Sequence, residues 1–289
     1  MNSIYKSISL LSLILLTSCV NKPNKTKKET QKAYKLVWAD EFEKNGSLDF
    51  LKWTYEYGYI REGKKQYYTD RLKNVRVEKG FLILEAHKER IKNKTPVSIE
   101  RPEVKFKNDS TDYTSASITT MGLAQWKYGR IEIKAKLAGG RGLWPAIWML
   151  GENWQLGKGV AWPKCGEIDI LEHVGFEKDS VYAVVHTQAY NGIHNTQPKK
   201  SIFINNAYAK FHIYTIEWTS EKITWFLDGK ENFSFINEHK TVDEWPFDQA
   251  FHLKLNVAVG GSWGGQKGID DSVFPKQMIV DYIRVYQLK

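Results

Sequence analysis

From position 34 onward the chain alternates apolar and polar residues in short runs, each closed by turn-forming residues. Side chains of a strand alternate between two faces, so such runs read as strands with one face in a core. On this pattern strands are predicted over 34–38, 75–77, 81–86, 115–120, 128–136, 143–150, 181–188, 211–218, 222–227, 251–259 and 278–286. Glu78-Lys79-Gly80 joins two of them as a hairpin, and Asp228-Gly229 follows another as a tight turn. Residues 88–112 are charged and polar and are predicted as a long surface loop. The sequence carries no long helical period, no internal repeat and no boundary between two folded domains. Many short strands separated by turns predict an all-β sandwich or barrel.

One run departs from simple alternation. In Glu167-Ile168-Asp169-Ile170-Leu171-Glu172, three carboxylates are interleaved with aliphatic residues. Glu167 and Asp169 share a face, but the odd spacing from Glu167 to Glu172 would send the third acid to the other side. A β-bulge between Asp169 and Glu172 restores it, leaving Ile168 and the Ile170/Leu171 pair to the core. Three like charges side by side cost stability. Two glutamates flanking a bond are the minimum equipment of a glycosidase, one as nucleophile and one as acid/base. Asp169 between them is placed to hold a shared proton and split their pKa values. The same alternation also occurs on strands whose polar face is simply solvated, and the hexapeptide alone does not choose.

The first residues follow another pattern. Lys6 precedes an apolar run over 8–16 that is too short for a stable span, and Leu16-Thr17-Ser18-Cys19 closes it. That ending resembles the lipobox of bacterial lipoproteins. The resemblance implies a signal peptide over 1–19, cleavage before Cys19 and lipidation of that cysteine, and Val20 beside it favours the outer membrane. A short uncleaved anchor is the alternative. Residues 20–33 are polar and Lys-rich and read as a flexible tether, leaving 34–289 for the folded domain. With Cys165 the only other cysteine, no internal disulfide is expected.

Composition adds two points. Aromatic residues make up 13% of the chain, with 11 Trp and 15 Tyr. Sugar C–H faces pack on aromatic rings, so the surplus suits a carbohydrate cleft, although large sandwich cores also absorb aromatics. The net charge is +9, with Lys22, Lys25, Lys27, Lys28 and Lys32 in the tether and Lys88, Arg90, Lys92 and Lys94 in the predicted loop. Such clusters suit an anionic surface or polyanionic substrate, or are solvated faces. No nucleic-acid motif accompanies them.

With its bulge, the acid-bearing stretch resembles the signature of glycoside hydrolase family 16. Further segments agree in order: Trp38-Ala39-Asp40-Glu41-Phe42, Gln66-Tyr67-Tyr68-Thr69, Tyr128-Gly129-Arg130-Ile131-Glu132, Gly142-Leu143-Trp144-Pro145-Ala146-Ile147-Trp148-Met149-Leu150, Tyr214-Thr215-Ile216-Glu217-Trp218, Asn256-Val257-Ala258-Val259-Gly260-Gly261 and Met278-Ile279-Val280-Asp281-Tyr282-Ile283-Arg284-Val285-Tyr286. The resemblance covers about residues 34–288. It implies a β-jelly-roll sandwich of two antiparallel sheets with a concave substrate cleft. Glu167 would be the nucleophile of a retaining reaction, Glu172 the acid/base and Asp169 the assisting acid, with no cofactor for catalysis.

Trp144 and Trp148 share a strand face and are expected to stack glucosyl rings, two core tryptophans being the alternative. His186 is expected to bind a sugar hydroxyl or orient a carboxylate; His173 has a weaker claim to the same role. Trp263, in a Gly-rich loop, is expected at the cleft mouth, and Arg130 in a structural ion pair. Relatives with a structural calcium ion imply Glu41, Gly80 and Asp281 as its ligands. One departure stands out. Relatives often show Arg-Asn-x-Glu before the Gln-Tyr-Tyr-Thr segment, whereas here Arg61 is followed by Glu62-Gly63-Lys64. The implied activity is endo-hydrolysis of β-1,3 bonds in laminarin-like, including mixed-linkage, glucans by a monomer. A galactan hydrolase of the agarase or carrageenase kind and a non-catalytic glucan-binding protein are the alternatives. An Arg-lined cleft would favour the galactan, and retention of all three acids argues against the binding protein.

Overall fold

The computed structural model describes residues 34–61, 64–92 and 110–289. The predicted leader with Cys19, the tether over 20–33, Glu62, Gly63 and residues 93–109 lie outside these. The strands are β1 (Tyr34–Asp40), β2 (Thr54–Tyr55), β3 (Gln66–Tyr68), β4 (Val75–Glu78), β5 (Phe81–Lys92), β6 (Ser110–Ser115), β7 (Ser117–Thr119), β8 (Gly129–Lys136) and β9 (Leu143–Gly151). They continue with β10 (Glu167–Glu172), β11 (Ser180–His186), β12 (Lys199–Phe203), β13 (His212–Trp218), β14 (Lys222–Leu227), β15 (Lys230–Ile236), β16 (Phe251–Val259) and β17 (Lys276–Leu288).

These strands build two sheets. One has seven strands in the order β12-β11-β10-β9-β16-β7-β2. The other has ten, along β15-β14-β13-β8-β17-β5-β6-β3, with β1 added to β17 and β4 to β5. Pairing is antiparallel except between β3 and β6, which run parallel. The expected all-β sandwich of two sheets is therefore observed, with this one parallel pair as the difference.

The core is one large cluster fed by both sheets, with a smaller second cluster of Ala146, Trp148, Leu150, Trp154 and Cys165 beside it. Ile168, Ile170 and Leu171 of β10 and Leu253, Leu255, Val257 and Val259 of β16 join Ile131 and Ile133 of β8, Trp225 of β14 and Val280, Ile283 and Val285 of β17. Trp53, Trp218 and Trp225 are among its largest fully buried side chains. Part of the aromatic surplus is therefore core material. The other face of β16 carries His252, Lys254 and Asn256, which are also buried. A strand that is polar on one face and buried on both has its polar face covered by protein rather than bathed in water.

The predicted loop over 88–112 needs correction. β5 runs on to Lys92 and β6 begins at Ser110, so its ends are strand. Polar strands were missed there because each residue looks outward on at least one side, and alternation of exposed and half-buried charges carries no apolar period. β2, β3, β12 and β15 were missed for related reasons. β2 and β3 are two and three residues long, and β12 and β15 are largely exposed edge strands.

Candidate active site

The bulge is where the odd spacing requires it. Against β11, register is kept from Glu167 to Asp169 and shifts before Glu172; against β9 it shifts between Asp169 and Leu171. Leu150, Trp148 and Ala146 of β9 lie opposite the three acids, and His186, Val184 and Tyr182 of β11 lie on their other side. Ile168, Ile170 and Leu171 point into the core. A bulge disturbs the ladder and leaves backbone groups to be satisfied otherwise. Here Trp225 Nε1, from the opposite sheet, donates to the Asp169 carbonyl at 2.8 Å.

Each carboxyl has its own surroundings. The Trp162 indole N–H donates to Glu167 Oε2 at 2.9 Å, and the Trp144 indole N–H donates to Glu172 Oε1 at 3.0 Å. His186 Nε2 lies 3.6 Å from Asp169 Oδ2 and 3.9 Å from Glu167 Oε1. Its Nδ1 accepts from the Gly192 N–H at 3.1 Å. A ring nitrogen that accepts carries no proton, so the neutral ring has its hydrogen on Nε2, facing the carboxyls. Glu167, Asp169 and His186 lie close enough to hold a metal by distance alone. The tautomer makes His186 a donor there rather than a ligand.

Burial is the largest cause of a raised pKa at all three acids. Glu167 is pushed up to about 7, restrained by the Trp162 N–H, the charges of Arg61 and Lys254 and a hydrogen bond from Asp169. Asp169 is raised furthest, since the charges of Glu172 and Glu167 add to its burial. Glu172 is also raised, with His186 and Lys64 pulling the other way. Three carboxyls this close cannot all ionise near neutral pH. Asp169 keeps its proton and donates it to Glu167. The hydrogen bond from Asp169 favours the Glu167 carboxylate, while burial favours the protonated form of both glutamates.

A second charged group lies beside the acids. Lys254 is fully buried, and its ammonium pairs with Glu56 Oε1 at 2.7 Å. Arg61 reaches Glu56 Oε2 at 2.9 Å, and the Ser117 hydroxyl donates to the same oxygen. Burial would raise the Glu56 carboxyl, but these partners outweigh it and hold it well below the usual carboxylate range.

The structure brings most of the expected site residues together. Trp144 and His186 touch the acid cluster, and Trp263 packs edge-on against Trp144 and Tyr182, at 5.6 and 4.8 Å between ring centroids. Trp148 requires a correction. It lies opposite Asp169, but it is only 8% exposed and packs with Ala146, Leu150, Trp154 and Cys165. Arg61 and Lys254 each lie 4.8 Å from its ring, and its N–H donates to Asn256 Oδ1 at 2.9 Å. Its ring is occupied by the protein's own cations and offers no open stacking face. His173 is fully buried between the Ser180 carbonyl and the Tyr208 hydroxyl, both at 2.8 Å, so its role is structural. Arg130 pairs with Glu217 and Glu132, as expected.

At the implied calcium positions the side chains are engaged otherwise. Glu41 makes a two-pronged pair with Arg284 at 2.7 and 2.9 Å, and Asp281 pairs with Lys134 at 2.7 Å. Gly80 occupies the β4–β5 turn at φ +79°. A calcium ion would compete with two bases for both carboxylates, so these side chains do not form a ready donor set. Among the described residues Cys165 is a buried free cysteine.

Sequence reasoning missed Trp162, the hydrogen-bond donor to Glu167. It is 37% exposed, its ring lies 5.6 Å from that of His186, and it belongs to the connection just before β10. The only signal available was its position five residues ahead of the first acid. Lys254 and Glu56 were also missed, because a buried ion pair between distant segments leaves no periodic trace.

Known proteins resemble this chain in sequence and fold. The profile of Glycosyl hydrolases family 16 matches residues 64–284. The chain is 47% identical over 262 residues to a β-glucanase of Rhodothermus marinus, covering 88% of this chain and 85% of that protein. It is 31% identical over 257 residues to a keratan-sulfate endo-1,4-β-galactosidase of Sphingobacterium multivorum, covering 88% of this chain but 56% of that longer protein. The X-ray structure of the laminarinase from Rhodothermus marinus superimposes with a TM-score of 0.79 at 46% identity, covering 90% of this chain and 99% of the other. A bulged strand that gathers three carboxyls, a two-sheet sandwich and a profile match across most of the chain thus coincide, and the protein belongs to glycosyl hydrolases family 16.

Proposed function

We propose that this protein is a retaining endo-β-1,3-glucanase acting on laminarin-like glucans, mixed-linkage chains included. The observation that carries the reading is the bulge at Asp169–Glu172, which brings Glu167, Asp169 and Glu172 to one face with Asp169 hydrogen-bonded to Glu167. The likeness to the Rhodothermus β-glucanase supports glucose as the sugar.

The reaction uses Glu167 as the anion and Glu172 as the proton donor. Glu167 attacks the anomeric carbon while Glu172 protonates the departing glycosidic oxygen. The C–O bond breaks, and a glycosyl ester forms on Glu167. Esterification removes the Glu167 charge, so Glu172 becomes a weaker base than it would be beside an anion, yet it is now ionised and faces the ester. It takes a proton from water, whose oxygen displaces Glu167. Asp169 and Trp162 stabilise the Glu167 carboxylate as attacking and leaving group, through hydrogen bonds that persist as charge develops. Side chains supply the nucleophile and every proton, so the reaction calls for no cofactor.

A galactan substrate is the second reading. Arg61, Lys64 and Lys254 beside the two tryptophans, and the likeness to the keratan-sulfate galactosidase, speak for it. A reducing-sugar assay over laminarin, barley glucan, lichenan, agarose, carrageenans and keratan sulfate separates the two. Activity on laminarin and the mixed-linkage glucans is expected; activity confined to galactans would overturn the substrate. Glu167→Ser is expected to abolish hydrolysis while glucan binding remains, and unchanged hydrolysis would remove Glu167 as nucleophile. Export as a monomeric lipoprotein held at the outer membrane through Cys19 is part of the proposal, supported by the lipobox-like Leu16-Thr17-Ser18-Cys19.

A further inference from the structure

Lys64 lies two residues before β3, and its ammonium lies 3.5 Å from the centroid of the Trp144 ring. A cation this close over an indole is held by the ring's negative face. The edge of the same ring carries the N–H that donates to Glu172 Oε1 at 3.0 Å. The backbone is fixed as well. Lys64 bridges to Gly260, and the Lys65 N–H donates to the Val259 carbonyl at 2.8 Å. Gly261, at φ +83°, completes the fit, because a Cβ there would sit 3.3 Å from the Trp144 ring and 3.4 Å from Lys64 Cγ. Cation, ring and acid are thereby held in series.

We propose that Lys64 is a positioning residue for the acid/base Glu172, acting through the indole of Trp144. The proposal rests on the assignment of Glu172 as acid/base. A cation on the π face draws electron density from the ring and makes its N–H a stronger donor, and the ammonium adds its own field. Both favour the carboxylate form of Glu172. The groups facing Glu172 divide by sign. Glu167 and Asp169 of its own strand oppose its ionisation. On β11, Tyr182 turns its hydroxyl to Glu177, and a protonated His186 would pull Glu172 down more strongly than Lys64 does, but burial lowers the His186 pKa and leaves the ring neutral at pH 7. From β9 comes the Trp144 N–H, and Arg61 and Lys254 act on Glu167 instead. Lys64 thus supplies a positive charge that persists at neutral pH on the Glu172 side of the site. It keeps Glu172 acidic enough to release its proton to the glycosidic oxygen.

Lys64→Met keeps the length of the side chain and removes its charge; Lys64→Arg keeps the charge. The pH profile of kcat/KM on laminarin is measured for both, together with a carbon NMR titration of the glutamate carboxyls in the substrate-free protein. For Lys64→Met the alkaline limb and the Glu172 titration are expected to move up together, by about half a pH unit to one unit. kcat falls several-fold, and Lys64→Arg restores the original limb. An unmoved titration, or a rise in KM alone with the limb in place, overturns the proposal and makes Lys64 a sugar contact. If the wild-type protein hydrolyses no β-1,3-glucan, the substrate reading fails, and the carboxyl titration still decides on Lys64.

Discussion

Trp162 shows what a single hydrogen bond does at this site. Its N–H pulls the Glu167 carboxyl down against burial, which alone pushes it up. Trp162→Phe keeps the ring beside His186 and removes the donor. The proton affinity of Glu167 then rises, less of it is ionised at a given pH, and the acid limb of kcat/KM moves to higher pH. A pH–rate series is expected to show that shift with a drop in kcat of about tenfold to a hundredfold, the usual range for losing one donor to a developing charge. At this scale the sequence told part of the story. Glu167, Asp169 and Glu172 were legible because an odd spacing among carboxylates demanded an explanation. Trp148 was misjudged because spacing gives the face a side chain takes and says nothing of what already covers it. Arg61 and Lys254 reach its ring from segments far away in the chain.

Among the elements, β10 is the one on which function turns. Its bulge trades ladder hydrogen bonds for the convergence of three acids, and Trp225 of β14 ties it down from the far sheet. Trp225→Phe leaves most of the packing and strands a buried carbonyl. It is expected to cost about 1–3 kcal/mol of stability in denaturant unfolding. It is also expected to lower kcat more than KM, because the spacing of Glu167 and Glu172 loosens. Unchanged kcat would show that the bulge holds its shape without the tie. The bulge itself was predictable from residues 167–172, since only one extra residue satisfies both the core and the acids. Trp225 as its anchor was not, because a contact through the core between the two sheets has no signature in local order. The edge strands β12 and β15 were invisible for the opposite reason: they are too exposed to carry an apolar period.

For the molecule as a whole, the two-sheet sandwich was legible because alternation repeated in run after run. The burial of the polar face of β16 was not, and it changes how the charge of the protein is read. The sequence placed its basic excess in the tether and a surface loop. In the folded domain Lys254, Arg61 and Lys64 also gather beside the acids, with Glu56 neutralising part of that charge. These cations hold Glu167 and Glu172 closer to ionisation than burial would leave them. Sandwich and bulge together gather the two glutamates and the aspartate that a double-displacement reaction requires, and the cations favour their ionisation against burial. The most direct measurement of that claim is the anomeric configuration of the first product, followed by proton NMR during laminarin hydrolysis. The β-anomer appearing first, and converting only later to the equilibrium mixture, is the predicted result; the α-anomer appearing first would contradict the assignment of Glu167 as nucleophile.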